Sequence, residues 1–74
     1  MAIIRQLEHR ELERFAKHTE TEGTYSIVEL DGKKYLQIDT YGSKQRQDRG
    51  KISQSLRLSQ EAIEQLLKII KTNF

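Results

Sequence analysis

Three features of the sequence predict an α+β fold: a helix-prone opening segment, three strand-like runs in the middle, and an amphipathic closing stretch. The expected architecture is an N-terminal helix, a three-stranded antiparallel sheet (a hairpin plus a third strand) and a C-terminal amphipathic helix. Both helices are expected on one face of the sheet. Residues 1–74 make one small α+β domain, and 74 residues leave no room for a second.

Residues 1–18 are rich in Glu, Arg, Leu and Gln and contain neither Gly nor Pro, a composition that favours helix. Ile4, Leu7, Leu12 and Phe15 fall on one broad side, where Glu8 and Glu11 intrude. Residues 3–7 also carry a second reading, as a short strand leading into the helix. Residues 19–24 are a polar connection in which Gly23 can supply a positive φ.

Residues 25–30 and 33–41 are two β-prone runs separated by Asp31-Gly32, the strongest short hairpin signal. A two-residue turn pairs Leu30 with Lys33, and hence Glu29 with Lys34, Ile27 with Leu36 and Tyr25 with Ile38. One hairpin face then carries Tyr25, Ile27, Leu36 and Ile38. The other is semi-polar and carries Ser26, Val28, Tyr35, Gln37, Asp39 and Tyr41.

Residues 42–50 (GSKQRQDRG) form a polar loop without an apolar side chain. Residues 51–58 alternate again and make the third strand, with Ile52, Gln54, Leu56 and Leu58 on one side and Ser53, Ser55 and Arg57 on the other. Ser59 is a natural N-cap for the helix that follows. Glu61 and Glu64 near its start and Lys68 and Lys71 near its end complement the helix dipole. Ala62, Ile63, Leu66, Leu67, Ile70 and Phe74 trace one helical stripe. The expected core joins Tyr25, Ile27, Leu36, Ile38, Leu56, Leu58, Ile63, Leu66, Leu67 and Ile70 to Leu12 and Phe15 from the first helix.

Composition narrows the function. The chain has no Cys, so disulfides, Cys-based zinc sites and thiol nucleophiles are excluded. Its longest apolar run, residues 1–4, is far short of the roughly 20 residues of a membrane span or the 7–15 of a signal peptide. A cytoplasmic protein with no membrane association is expected. Twenty-two large apolar or aromatic residues can close only a marginal core in a chain this short, and a homodimer is the expected remedy.

The net charge of +2 hides an uneven distribution. Residues 1–31 carry four basic and seven acidic groups, residues 32–60 seven basic and two acidic, and residues 61–74 two of each. The cations gather in the middle of the chain.

No enzyme signature is complete. His9 and His18, nine positions apart on a helix, face opposite sides and cannot share a metal ion. Asp31-Gly32-Lys33 fits a carboxylate-x-Lys pattern of metal-dependent nucleases, but Asp-Gly already serves as the hairpin turn and the sheet is far smaller than such cores require. Gly50-Lys51 lacks the rest of a phosphate loop. Ser43 has no base placed beside it by any motif. The expectation is a non-enzymatic protein without a cofactor.

The basic loop survives this elimination. Lys44, Arg46, Arg49 and Lys51 lie within eight positions, opposed only by Asp48, and Lys33, Lys34 and Arg57 belong to the same sheet. Several cations along one surface suit a phosphate backbone, and Tyr35 and Tyr41 on the semi-polar face could stack bases of a single strand. Nucleic acid, single-stranded DNA or RNA, is the first candidate partner, with a role in transcription or DNA-related regulation. The alternative is a protein–protein interaction or regulatory adaptor module whose basic loop is simply solvated.

From Tyr35 onward the order of parts resembles the transcriptional coactivator family of single-stranded-DNA-binding proteins. The shared outline is an aromatic-flanked Asp strand (YLQIDTY), a basic loop ending in Gly50-Lys51, a strand ending in Leu58-Ser59, and a closing helix with Gln60 and Glu61 in its first turn. The resemblance implies a dimer whose curved antiparallel sheets grip single strands. It also implies Tyr41, Lys44, Arg46 and Lys51 as contact positions.

Overall fold

Asp31 and Gly32 both adopt positive φ, 51° and 76°, which is the geometry of a type I′ turn. Around that turn pair β2 (Gly23–Leu30) and β3 (Lys33–Tyr41), in the register expected from the turn. The protein, a computed structural model that describes residues 1–42 and 51–74, adds β1 (Ala2–Ile4), β4 (Ile52–Leu58) and α1 (Gln60–Asn73). The four strands form one mixed sheet in the order β1-β4-β3-β2, with β1 parallel to β4 and the other pairs antiparallel.

This corrects the expected fold class at its N-terminal end. Among the described residues there is no N-terminal helix, the sheet has four strands rather than three, and a single helix packs on it. The physical reason lies in residues 1–7. Ile3 and Ile4 are β-branched and add main-chain hydrogen bonds along the open edge of β4. The next backbone groups are then taken by α1. The Ser59 amide donates to the Ile4 carbonyl (3.0 Å) and the Ser59 hydroxyl to the Arg5 carbonyl (3.4 Å). Gln65 accepts from the Leu7 amide (2.8 Å) and donates to the Leu7 carbonyl (3.2 Å). Beyond Leu7, Glu8 and Glu11 break the apolar stripe, and a short helix with nothing to dock on is marginal in water. Residues 5–22 accordingly hold neither helix nor strand.

Ser59 caps α1 as expected, its hydroxyl accepting from the Ala62 amide at 3.3 Å. α1 lies against β3 and β4, on the face where register aligns Leu36 and Ile38 with Leu58 and Leu56. The core is smaller than expected. Of the residues assigned to it, only Leu58 is buried, although Ala62 is fully enclosed. Leu36, Ile38, Leu56, Ile63 and Leu66 are half-buried. Tyr25, Ile27, Leu67, Ile70, Leu12 and Phe15 are exposed, because α1 packs mainly on β3 and β4 and no first helix covers the rest.

A second correction concerns Ile52. A bulge between Thr40 and Tyr41 sets Tyr41 opposite Ile52 after Thr40 pairs with Gln54. One extra residue in β4 flips its alternation, so Ile52 moves off the Leu56–Leu58 face and joins the face of Ser55 and Arg57. Among the described residues, no helix is long and apolar enough to cross a membrane.

Candidate nucleic-acid interface

Period-two alternation along β3 puts Lys33, Tyr35, Gln37, Asp39 and Tyr41 on the face away from α1. Pairing with β4 adds Arg57 opposite Gln37 and Ser55 opposite Asp39, and β1 adds Ile3 beside Arg57. Four of the expected contact residues, Lys33, Tyr35, Tyr41 and Arg57, therefore share one face. Lys34 does not: it sits on the α1 side as the cross-strand partner of Glu29. Lys51 is exposed immediately before β4. Lys44, Arg46 and Arg49 lie outside the described residues.

A chain of hydrogen bonds runs along the middle of this face. Arg57 Nε donates to Gln37 Oε1 at 2.7 Å, and Gln37 Nε2 donates to both Asp39 carboxylate oxygens at 3.2 and 3.1 Å. Asp39 is only 5% exposed, and a buried carboxylate is tolerable when donors face it. Because a carboxylate only accepts, it orients the Gln37 amide with its carbonyl toward Arg57. Asp39 thereby fixes the plane of a guanidinium two strand positions away.

The two tyrosines differ. Tyr35 is 9% exposed and offers little open ring surface for stacking. Tyr41 is half-buried, hydrogen-bonded through its hydroxyl to Thr24 Oγ1 at 3.0 Å, while its carbonyl accepts from the Thr21 hydroxyl. These bonds hold the start of β2 against the end of β3.

At the turn end of the sheet, Arg5, Lys33, Lys34, Tyr35, Ser59 and Glu61 line a cleft of about 400 Å³. The Glu61 carboxyl is held below its ordinary value by its own backbone amide, then by the Ser59 hydroxyl and the Lys33 and Arg5 charges. His9 and His18 lie on no helix, so the phase argument about them lapses. His9 pairs with Glu11 at 3.1 Å on the surface. The described residues contain no group of three His, Asp or Glu arranged to hold a metal ion.

Strand alternation alone places Gln37 and Asp39 on the semi-polar face and gives them no role. Their alternation with the tyrosines was visible. Their link to Arg57 depends on the β3–β4 register, which no local signal supplies. Comparison with known proteins adds no relative: no family model matches the chain, and neither a curated protein nor a solved structure matches it.

Proposed function

We propose that the chain is a non-enzymatic nucleic-acid-binding module, acting as a homodimer on single-stranded DNA or RNA. The observation that carries this reading is the register of β3 and β4, which gathers Lys33, Tyr41 and Arg57 on one sheet face with Gln37 and Ser55 between them. Cations spaced along a sheet with neutral hydrogen-bonding groups between them suit a flexible polyanion. Phosphates meet the charges, and bases meet the amides, hydroxyls and ring. The basic segment from Lys44 to Lys51 connects β3 to β4 and extends the same charge in sequence. The outline shared with the single-stranded-DNA-binding coactivators supports the same class of ligand.

The homodimer is supported by an apolar surface on the opposite side, where Tyr25, Ile27, Leu67 and Ile70 are 45–75% exposed. Nucleic acid and a second copy would thus use different faces. An adaptor role, with that apolar surface taking another protein, is the second reading and leads to the opposite outcome in the same assay. The test is fluorescence anisotropy with a labelled single-stranded oligonucleotide at two salt concentrations. Affinity is expected to fall steeply with salt, log K dropping by about 0.7 per phosphate contact for each decade of salt. It is expected to vanish in a chain with Lys44, Arg46, Arg49 and Lys51 all changed to Ala. No binding at low salt overturns the proposal.

A further inference from the structure

We propose that the groove between β1 and the bulged start of β4 is a nucleobase subsite, in which Arg57 reads an unpaired guanine. The inference rests on the single-strand reading above and goes beyond it by naming a base and the residues that select it. The groove has a volume of about 390 Å³, with Ile3, Ile52 and Met1 as walls and Gln37, Ser55 and Arg57 as its polar part. That volume lies at the lower end of small-ligand sites, roughly 300–1,000 Å³, and suits one planar ring system rather than a length of chain.

Two irregular features of the fold create it. The bulge turns Ile52 onto the Arg57 face, and the parallel register of β1 sets Ile3 directly beside Arg57. Bulges commonly re-aim a side chain next to a working site. Both isoleucines remain nearly half exposed, 47% for Ile3 and 46% for Ile52, so they wall an open slot rather than close a core. A phosphate, charged on every side, gains nothing from isoleucine walls. A base has apolar faces and a polar edge, which matches apolar walls around a polar floor.

Arg57 supplies the selection. Its Nε is committed to Gln37, and Gln37 is held in turn by Asp39, so the guanidinium plane is set before any ligand arrives. The terminal Nη groups are the donors that remain for a ligand edge. Guanine presents two neighbouring acceptors, O6 and N7. Adenine places a donor beside its N7, thymine a methyl group beside its O4, and cytosine an amino donor on that edge. Of these edges only guanine's satisfies a two-donor fork, and the N7 dependence of binding separates it from the N3/O2 pair that an unpaired cytosine carries on its Watson–Crick edge. Gln37 and Asp39 act as positioning residues, Gln37 by accepting from Arg57 directly and Asp39 by holding the Gln37 amide.

The experiment is anisotropy with the full chain and a short oligothymidylate carrying dG, dA, dC or dT at one central position. The dG oligonucleotide is expected to bind roughly 5- to 150-fold tighter than the others, the worth of one bidentate pair. Replacing dG by 7-deaza-dG, which removes the N7 acceptor without touching the protein, is expected to bring affinity back toward that of dA. Arg57→Lys keeps the charge but loses the fork, and Gln37→Leu releases the guanidinium. Both are expected to narrow the dG advantage, with circular dichroism confirming their folds. Equal affinity for all four, a preference for another base, or a dG advantage that survives both 7-deaza substitution and Arg57→Lys overturns the subsite while leaving single-strand binding intact. Failure of every oligonucleotide to bind at low salt overturns both.

Discussion

Ser59 connects three parts of the chain through one side chain and one amide. It caps α1 at Ala62, bonds the carbonyls of Ile4 and Arg5, and is 3% exposed. Removing the hydroxyl leaves the α1 amide without its cap and the Arg5 carbonyl without its donor. Ser59→Ala is therefore expected to cost about 0.5–2 kcal/mol by urea unfolding. Ser59→Asn, which can still accept from α1, is expected to recover part of the loss. Glu61 stands beside it and gives a pH signature. Its carboxyl titrates below the ordinary value of 4.5, so the charged form is favoured by folding. The stability it contributes is present above the unfolded pKa and disappears as pH falls through the lower folded value. The urea midpoint of Glu61→Gln should lie below that of the unsubstituted chain at neutral pH, and the two should converge in acid. Ser59 was legible as a cap because capping is local, three residues long. Its bonds to Ile4 and Arg5 span more than fifty residues, and nothing in the sequence around Ser59 announces them.

At the scale of elements the same division holds. The β2–β3 hairpin could be read to the residue because Asp31-Gly32 determines both turn and register, and α1 because its cap, charges and stripe agree. β1 could not. Three residues carry too little periodicity to separate strand from helix, and their pairing with β4 is decided by an open edge far along the chain. Plain alternation puts Ile52 on the wrong face for a related reason, since it says nothing about a bulge. The candidate interface inherits both gaps: Lys33, Tyr41 and Arg57 were identifiable by type, whereas Ile3 and Gln37 become neighbours of Arg57 only through the strand order. Beyond the strand pairing of β1, residues 5–7 are tied to Ser59 and α1, and Gln65 makes the most distal part of that attachment. Gln65→Ala removes both hydrogen bonds to Leu7 and is expected to cost about 1–3 kcal/mol, at 0.5–1.5 for each bond. Hydrogen exchange locates the effect: the Leu7 amide should lose protection while those in the centre of β3 keep theirs. Unchanged protection at Leu7 would show that the attachment does not depend on Gln65.

The whole molecule is too open for its mass. A compact chain of 8.7 kDa exposes about 4,700 Å², whereas this one exposes 7165 Å². Its radius of gyration is 14.4 Å, against about 11 Å for a compact domain of this length, and its shortest dimension is 20 Å. The segment 5–22, with Leu12 and Phe15 exposed, accounts for part of the excess. A further part lies beside the sheet, where Tyr25 and Ile27 on β2 and Leu67, Ile70 and Phe74 on the helix stay uncovered. Ile63, Leu67, Ile70 and Phe74 follow intervals of four, three and four, the spacing of a seam between two helices. Self-association through this seam would remove about 800 Å² from each chain if the interface is of standard size, covering the apolar stripe and leaving the Arg57 face open. Light scattering during size exclusion is expected to report twice the chain mass at micromolar concentration. Leu67→Glu discriminates, because position 67 is 55% exposed in the single chain. A charge there costs the monomer little, within about 0.5 kcal/mol for a surface site, but would be stranded in the seam of a dimer. The expected outcome is a folded Leu67→Glu chain at monomer mass whose affinity for single strands falls, because paired chains hold one strand at two places. A monomeric unsubstituted chain would overturn the homodimer, and a Leu67→Glu chain that still dimerises would remove α1 from its interface.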